Sequence, residues 1–236
     1  MRIDVHNHFY PKVYLDEVER LGGAVKLEEK DGRQVFTIRG VPVVHISPPQ
    51  LDPELRLRDM DASGVDMQML SLTMPHVYLW EPEAGLALSQ AVNDAFADII
   101  SRYPSRFTAA ASVPLQDPKL AIAELDRAVE KLGLPAVYLI TSIDGRGIHE
   151  KELWPFYERA AELGVPVFIH PFLPPGAGEM RDYWLQTVLG VLFESALTAA
   201  RFAFSGLFEH VPNLKLVVPH IGGLIPYSMG RIDKGY

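Results

Sequence analysis

The 236-residue sequence contains no cysteine. That excludes a disulfide framework and a thiolate metal site, so any bound metal must take His, Asp or Glu. No apolar run is expected to reach the roughly 18 residues of a membrane span, because charges, Gly or Pro interrupt each one. The opening Met-Arg-Ile-Asp-Val-His has no apolar signal segment, which predicts a cytoplasmic rather than a secreted protein. Positive charge is short as well: 22 Lys and Arg against 30 Asp and Glu leave a net charge of −8. A broad nucleic-acid footprint needs the opposite sign, and an anionic membrane surface would not attract this chain. A small anionic substrate remains compatible, since one local arginine outweighs distant charge. There is no low-complexity tract, short-period repeat or interdomain linker, so residues 1–236 read as a single domain.

What is present is an alternation of short β-rich runs with longer helical patterns. Strands are expected at Ile3–His6, Asp66–Leu72, Phe107–Val113, Ala136–Thr141, Pro166–His170 and Leu214–His220. Several are nearly continuous apolar stretches, as strands buried on both faces are. Between them, Leu86–Tyr103 carries apolar residues at close to 3.6 spacing and stops before Pro104. Pro118–Leu132 follows the N-cap Asp117 and ends at Gly133, and Glu150–Leu163 ends at Gly164. Helices between strands imply parallel pairing and right-handed crossovers. Two segments break the rhythm. Ala24–Leu27 and Val35–Arg39, around Lys30-Asp31-Gly32, predict an inserted β-hairpin after the first strand. Leu173–Gly178 is a loop rich in Pro and Gly. The expected fold class is therefore α/β, a (β/α)8 TIM barrel of which about six of eight strands are present, the chain being C-terminally truncated. A smaller open α/β sheet is the alternative.

Four of the eight histidines fall at strand ends. His6 and His8 close the first predicted strand; alternation along a strand would point both rings to one side. His170 closes the fifth and His220 the sixth. In (β/α) barrels the carboxyl ends of the strands carry the chemistry. Any one of these histidines alone reads as a hydrogen-bonded core residue; the joint placement points to a site. His45, His76, His149 and His210 lack that placement and read as structural. Two or three neutral imidazoles suit Zn²⁺, which would lower the pKa of a coordinated water from 15.7 to about 7. A fourth histidine nearby, His220, would then serve as acid or base. The His220-Ile221-Gly222-Gly223 turn allows close backbone approach, though two glycines also suit a plain turn.

Ile3-Asp4-Val5-His6-Asn7-His8, Phe168-Ile169-His170-Pro171, Met180-x-x-Tyr183-Trp184-Leu185 and Pro219-His220-Ile221-Gly222-Gly223 resemble the amidohydrolase-related family (amidohydrolase 2), in the pattern of its aminocarboxymuconate-semialdehyde decarboxylase branch. Arg56-x-Arg58-Asp59-Met60-Asp61, Gly64-Val65-Asp66, Phe208–Lys215 and Gly230-Arg231-Ile232 extend the match over the whole chain. The resemblance implies one divalent ion, usually zinc with manganese as the alternative, held by His6, His8 and His170, and His220 as catalytic acid/base. It implies decarboxylation of a small unsaturated or aromatic carboxylic acid, with Phe172 and Trp184 walling the pocket, and a homodimer for the full-length protein. The family's aspartate ligand and a cross-dimer arginine would lie beyond Tyr236. In the hairpin the branch's substrate-binding arginine is replaced by Thr37; Arg39, two residues on and expected on the same strand face, is the candidate substitute. A metal-dependent hydrolase of lactones, amides or esters on the same scaffold, and an inert fragment or binding module, are the competing readings.

Overall fold

The computed structural model describes residues 1–30, 32–180 and 182–235. The chain divides into two compact units, Met1–Tyr138 and Leu139–Tyr236.

The first unit runs β1 (Ile3–Asp4), α1 (Lys12–Leu21), β2 (Val25–Lys30), β3 (Arg33–Ile38), β4 (Val41–His45), α2 (Pro53–Ser63), β5 (Met67–Leu70), α3 (Pro82–Arg102), β6 (Phe107–Ala111) and α4 (Pro118–Asp126), then enters β7 (Ala136–Ile140). β1 pairs with β5, β5 with β6 and β6 with β7, all parallel, with Ile3 opposite Met67, Gln68 opposite Phe107 and Ala110 opposite Ala136. The helices start where the sequence signals it: Asp52 and Asp117 accept hydrogen bonds from first-turn N–H groups, each followed by proline. Helix α3 buries Leu88, Val92, Phe96 and Ile99 at helical spacing. Asn93 on it donates to the Ser112 carbonyl at 2.8 Å and to Glu124 at 2.7 Å, tying α3 to the segment after β6 and to α4.

The predicted hairpin is a three-stranded antiparallel sheet, β2-β3-β4. Local pattern concealed the third strand because Pro42 interrupts it; as an edge strand, β4 tolerates the missing N–H. Val35, Phe36, Thr37 and Ile38 are all buried, and Phe36 packs on Tyr10 and Tyr14 at ring distances of 5.3 and 6.1 Å. Asp31, in the turn named above, lies outside the described residues.

The second unit continues β7 and adds β8 (Ser142–Ile143), β9 (Arg146–Gly147), α5 (Trp154–Glu162), β10 (Val167–His170), α6 (Val191–Phe204), α7 (Leu207–His210), β11 (Leu216–Val217), α8 (Pro219–Gly222) and α9 (Ile225–Gly235). β10 and β11 are parallel, Val167 facing Leu216. Among the described residues the main sheet has six strands in the order β1-β5-β6-β7-β10-β11, the incomplete (β/α) barrel sheet that the alternation predicts. The six expected strands all exist and all are shorter. The first ends at Asp4 and the sixth at Val217, so His6, His8 and His220 lie past the strands rather than on them. Among the described residues one stretch, Asp182–Phe204, is long and apolar enough to cross a membrane by length and composition, contrary to the expectation for this sequence, and about a third of its most apolar window is buried. Glu194 within it is buried and hydrogen-bonded to Thr141 and Phe172.

Candidate active site

In the first unit the chain leaves β1 through a turn that its own side chains build. The Asp4 carboxylate accepts the His6 N–H at 3.0 Å, the two-residue reach typical of an aspartate turn, and this ends the strand. The spacing of His6 and His8 therefore reflects this turn rather than strand alternation. Their rings stand 5.3 Å apart, edge to face.

Three groups fix the loop. Asn7 donates to the Met69 carbonyl at 2.9 Å. Arg56, 7% exposed, donates to the His8 carbonyl (2.6 Å), the Pro49 carbonyl (2.8 Å) and Asn7 Oδ1 (3.1 Å). Burial lowers the pKa of Arg56, and Asp4 and Asp59 oppose that shift, so the guanidinium stays charged. Ser71 donates its one hydroxyl proton to the Asn7 carbonyl at 2.6 Å, so its lone pairs face His8 Nδ1 at 3.2 Å. His8 must then carry its proton on Nδ1 and its lone pair on Nε2. Burial, partly opposed by Asp4, lowers the pKa of His6, which favours the neutral ring a metal requires.

The second unit repeats the device. His170 ends β10, buried, with Nδ1 2.8 Å from the Pro171 carbonyl. A carbonyl only accepts, so Nδ1 bears the proton and Nε2 the lone pair. The Phe172 N–H donates to Glu194 Oε2 at 3.1 Å and lies 3.2 Å from Thr141 Oγ1, whose hydroxyl donates to the other Glu194 oxygen. Burial raises the pKa of Glu194; the bonds from Thr141 and Phe172 resist the rise. His220 lies in α8 with φ 54°, its ring 5.6 Å from that of His170 and its Nδ1 3.3 Å from Ser195 Oγ.

Two of the expected pocket residues lie on exposed turns. Trp184 is 73% exposed, in a short turn with φ 62°. Arg39 lies beyond the end of β3, exposed, with φ 52°, so it does not share the buried facing of Thr37. Phe172 is buried directly after His170. Of the remaining histidines, His45 ends β4, His210 pairs with Glu158 at 2.5 Å, and His149 lies beside Gly147. His76 is fully buried, and neither ring nitrogen has a partner of good hydrogen-bond geometry among the described residues. Sequence reasoning did not assign roles to Arg56, Ser71, Glu194 or Ser195. The readable signal was a lone carboxylate, Glu194, inside the apolar run Val191–Phe204.

Parallel (β/α) sheets carry their chemistry at the carboxyl ends of their strands, and metal-ligating histidines are commonly tethered through the second ring nitrogen. The family model described as Amidohydrolase matches residues 3–234, and the chain belongs to that family. It is 34% identical to a 2-amino-3-carboxymuconate-6-semialdehyde decarboxylase of Dictyostelium discoideum, over 100% of this chain and 67% of that protein. It is 36% identical to a gamma-resorcylate decarboxylase of Polaromonas sp., over 75% of this chain and 58% of that one. The chain thus spans about three-fifths to two-thirds of the length of these curated relatives. Among solved structures, the apo form of Metarhizium anisopliae IDCase shares the fold, with a TM-score of 0.89 at 23% identity over 99% of this chain and 68% of that one. A dihydroxybenzoic acid decarboxylase from Polaromonas sp. JS666, with bound manganese and the inhibitor 2-nitroresorcinol, matches at TM-score 0.79 and 28% identity, over 98% and 68% of the two chains.

Proposed function

We propose that this chain carries the greater part of a metal-dependent decarboxylase for a small aromatic or unsaturated carboxylic acid, with His6, His8 and His170 as metal ligands and His220 as proton carrier. One observation carries the reading: His8 and His170 are each held with the proton on Nδ1, which turns Nε2 into the ligand nitrogen. The donor set fits a divalent ion, since neutral imidazoles are ligands such an ion takes. Imidazole favours zinc over manganese, which prefers oxygen ligands, and the manganese in the Polaromonas structure is the reason to test both.

Lewis acidity toward a substrate oxygen is what a bound ion supplies there. The chain's own residues do the rest. His220 delivers a proton to the carbon that bears the carboxylate; the carbon–carbon bond then breaks, carbon dioxide leaves, and the bonding pair restores the unsaturated system. Phe172, buried beside His170, excludes water from that face. The composition extends the reading to a cytoplasmic protein without nucleic-acid or membrane partners, and the resemblance extends it to a homodimer of the whole protein.

The test is carbon dioxide release from 2,6-dihydroxybenzoate and from 2-amino-3-carboxymuconate-6-semialdehyde, with zinc or manganese supplied. Release that disappears in His220→Ala while metal content is retained supports the proposal. Hydrolysis of lactones, esters or amides with no carbon dioxide released overturns it in favour of the hydrolase reading.

A further inference from the structure

Helix α6 carries two adjacent polar residues within an apolar run, and both are buried: Glu194 is 4% exposed and Ser195 0%. Glu194 anchors the helix, since its two oxygens accept from Thr141 at the end of β7 and from the Phe172 N–H after β10. The next residue faces the other loop of this unit. Ser195 Oγ donates to the Val191 carbonyl one turn back at 2.8 Å, which uses its only proton. The same oxygen is 3.3 Å from His220 Nδ1, so a lone pair meets the ring. Backbone packing sets the spacing independently. A Cβ on Gly223 would lie 2.3 Å from the Leu192 carbonyl oxygen and 3.2 Å from the Ala196 N, so the turn after His220 rests directly on the backbone of α6 around Ser195. Gly223 N–H closes that turn on the His220 carbonyl at 2.9 Å.

We infer that Ser195 is a positioning residue: its hydroxyl oxygen holds the His220 ring with the proton on Nδ1, so that Nε2 is the nitrogen that exchanges protons with substrate. The claim deepens the proposed decarboxylase and rests on His220 as its proton carrier. It explains why a hydroxyl is buried in an apolar helix, and why the close approach at Gly223 is built into the same turn. An imidazole without this partner distributes its proton between both nitrogens, and only one of those forms presents a basic Nε2.

The experiment compares wild type, Ser195→Ala and Ser195→Thr. Long-range ¹H–¹⁵N spectra report the His220 tautomer, in the chain as purified after chelation and again with zinc added. Alanine is the better helix former and removes only the hydroxyl, so the variant is expected to fold. The wild type should show the Nδ1–H form, Ser195→Ala should lose it as the dominant species, and Ser195→Thr should restore it. With 2,6-dihydroxybenzoate, kcat of Ser195→Ala should fall about tenfold, a fraction of what acid–base catalysis contributes, with KM little changed. Persistence of the Nδ1–H form in Ser195→Ala overturns the inference, as does an equal loss of that form in Ala and Thr. If the wild type releases no carbon dioxide, the decarboxylase reading fails, and the spectra still decide whether Ser195 sets the ring.

Discussion

Replacing Arg56 probes the support beneath the His6–His8 loop. The guanidinium reaches four acceptors on three segments: the Pro49 carbonyl, the His8 carbonyl with Asn7 Oδ1, and Gln68 Oε1, at 2.8, 2.6, 3.1 and 3.4 Å. It also lies 5.6 Å from the Phe9 ring centroid. Each hydrogen bond to a charged donor contributes about 1.5–3 kcal/mol when its partner cannot be replaced. Here an open cleft of about 280 Å³, lined by His8, Pro49, Arg56 and Gln68 among others, admits water to part of the vacated space. The expected loss for Arg56→Ala is therefore about 3 kcal/mol, at the low end for breaking a buried charged network. With a urea m-value near 3 kcal/mol/M, the unfolding midpoint should fall by about 1 M. Arg56→Lys should lose most of the same stability, because an ammonium on a single stem cannot span a fork of three directions. Arg56 holds the His8 carbonyl, so metal affinity should drop as for other supports of ligand residues, about 10- to 100-fold. Urea unfolding of the metal-free chain and calorimetric titration with zinc measure the two effects separately. A lysine variant with wild-type midpoint and zinc affinity would refute the claim that this network holds the proposed ligands His6 and His8.

Acidification should destabilise the chain through His76. Burial pushes its pKa down to about 3, opposed in part by the Tyr138 backbone, against an unfolded value near 6.5. Above pH 6.5 the ring is neutral in both states and full stability is present; as pH falls from 6.5 toward 3, only the unfolded state gains the proton. At pH 5 that amounts to about 2 kcal/mol, read as a lower urea midpoint than at pH 7. His76→Asn, which tolerates the observed φ of 60°, should show a smaller pH dependence, and an equal one would exclude His76 as the source. Stoichiometric zinc or manganese is expected by elemental analysis, and saturation at 100 times Kd should add about 2.7 kcal/mol to stability; a chain with no midpoint shift on metal addition contradicts the ligand assignment. Trp184→Ala removes a side chain that is 73% exposed and should leave stability within about 0.5 kcal/mol. If Trp184 walls the pocket, turnover falls while metal content holds; unchanged turnover removes it from the site.

The sequence by itself determined the alternation of strands and helices, the identity of six parallel strands, and which histidines follow them. The physical reason is local. Strands buried on both faces are written as short apolar runs, and helices stop at Gly133, Gly164 and Pro104, so both are read within a dozen residues. Tertiary structure alone decided the rest. Periodicity predicted that His6 and His8 share a facing because they sit on a strand; the strand ends at Asp4, and their setting comes from the Asp4 turn and from Arg56, 48 residues from His8. The third strand of the inserted sheet, the exposed turn at Arg39 and the exposure of Trp184 also left no periodic trace. The ring of His170 owes its tautomer to a neighbouring carbonyl, but Ser71 and Ser195 face His8 and His220 from 63 and 25 residues away. Side-chain hydrogen bonds over such separations depend on which elements pack together, and no window of sequence carries that information.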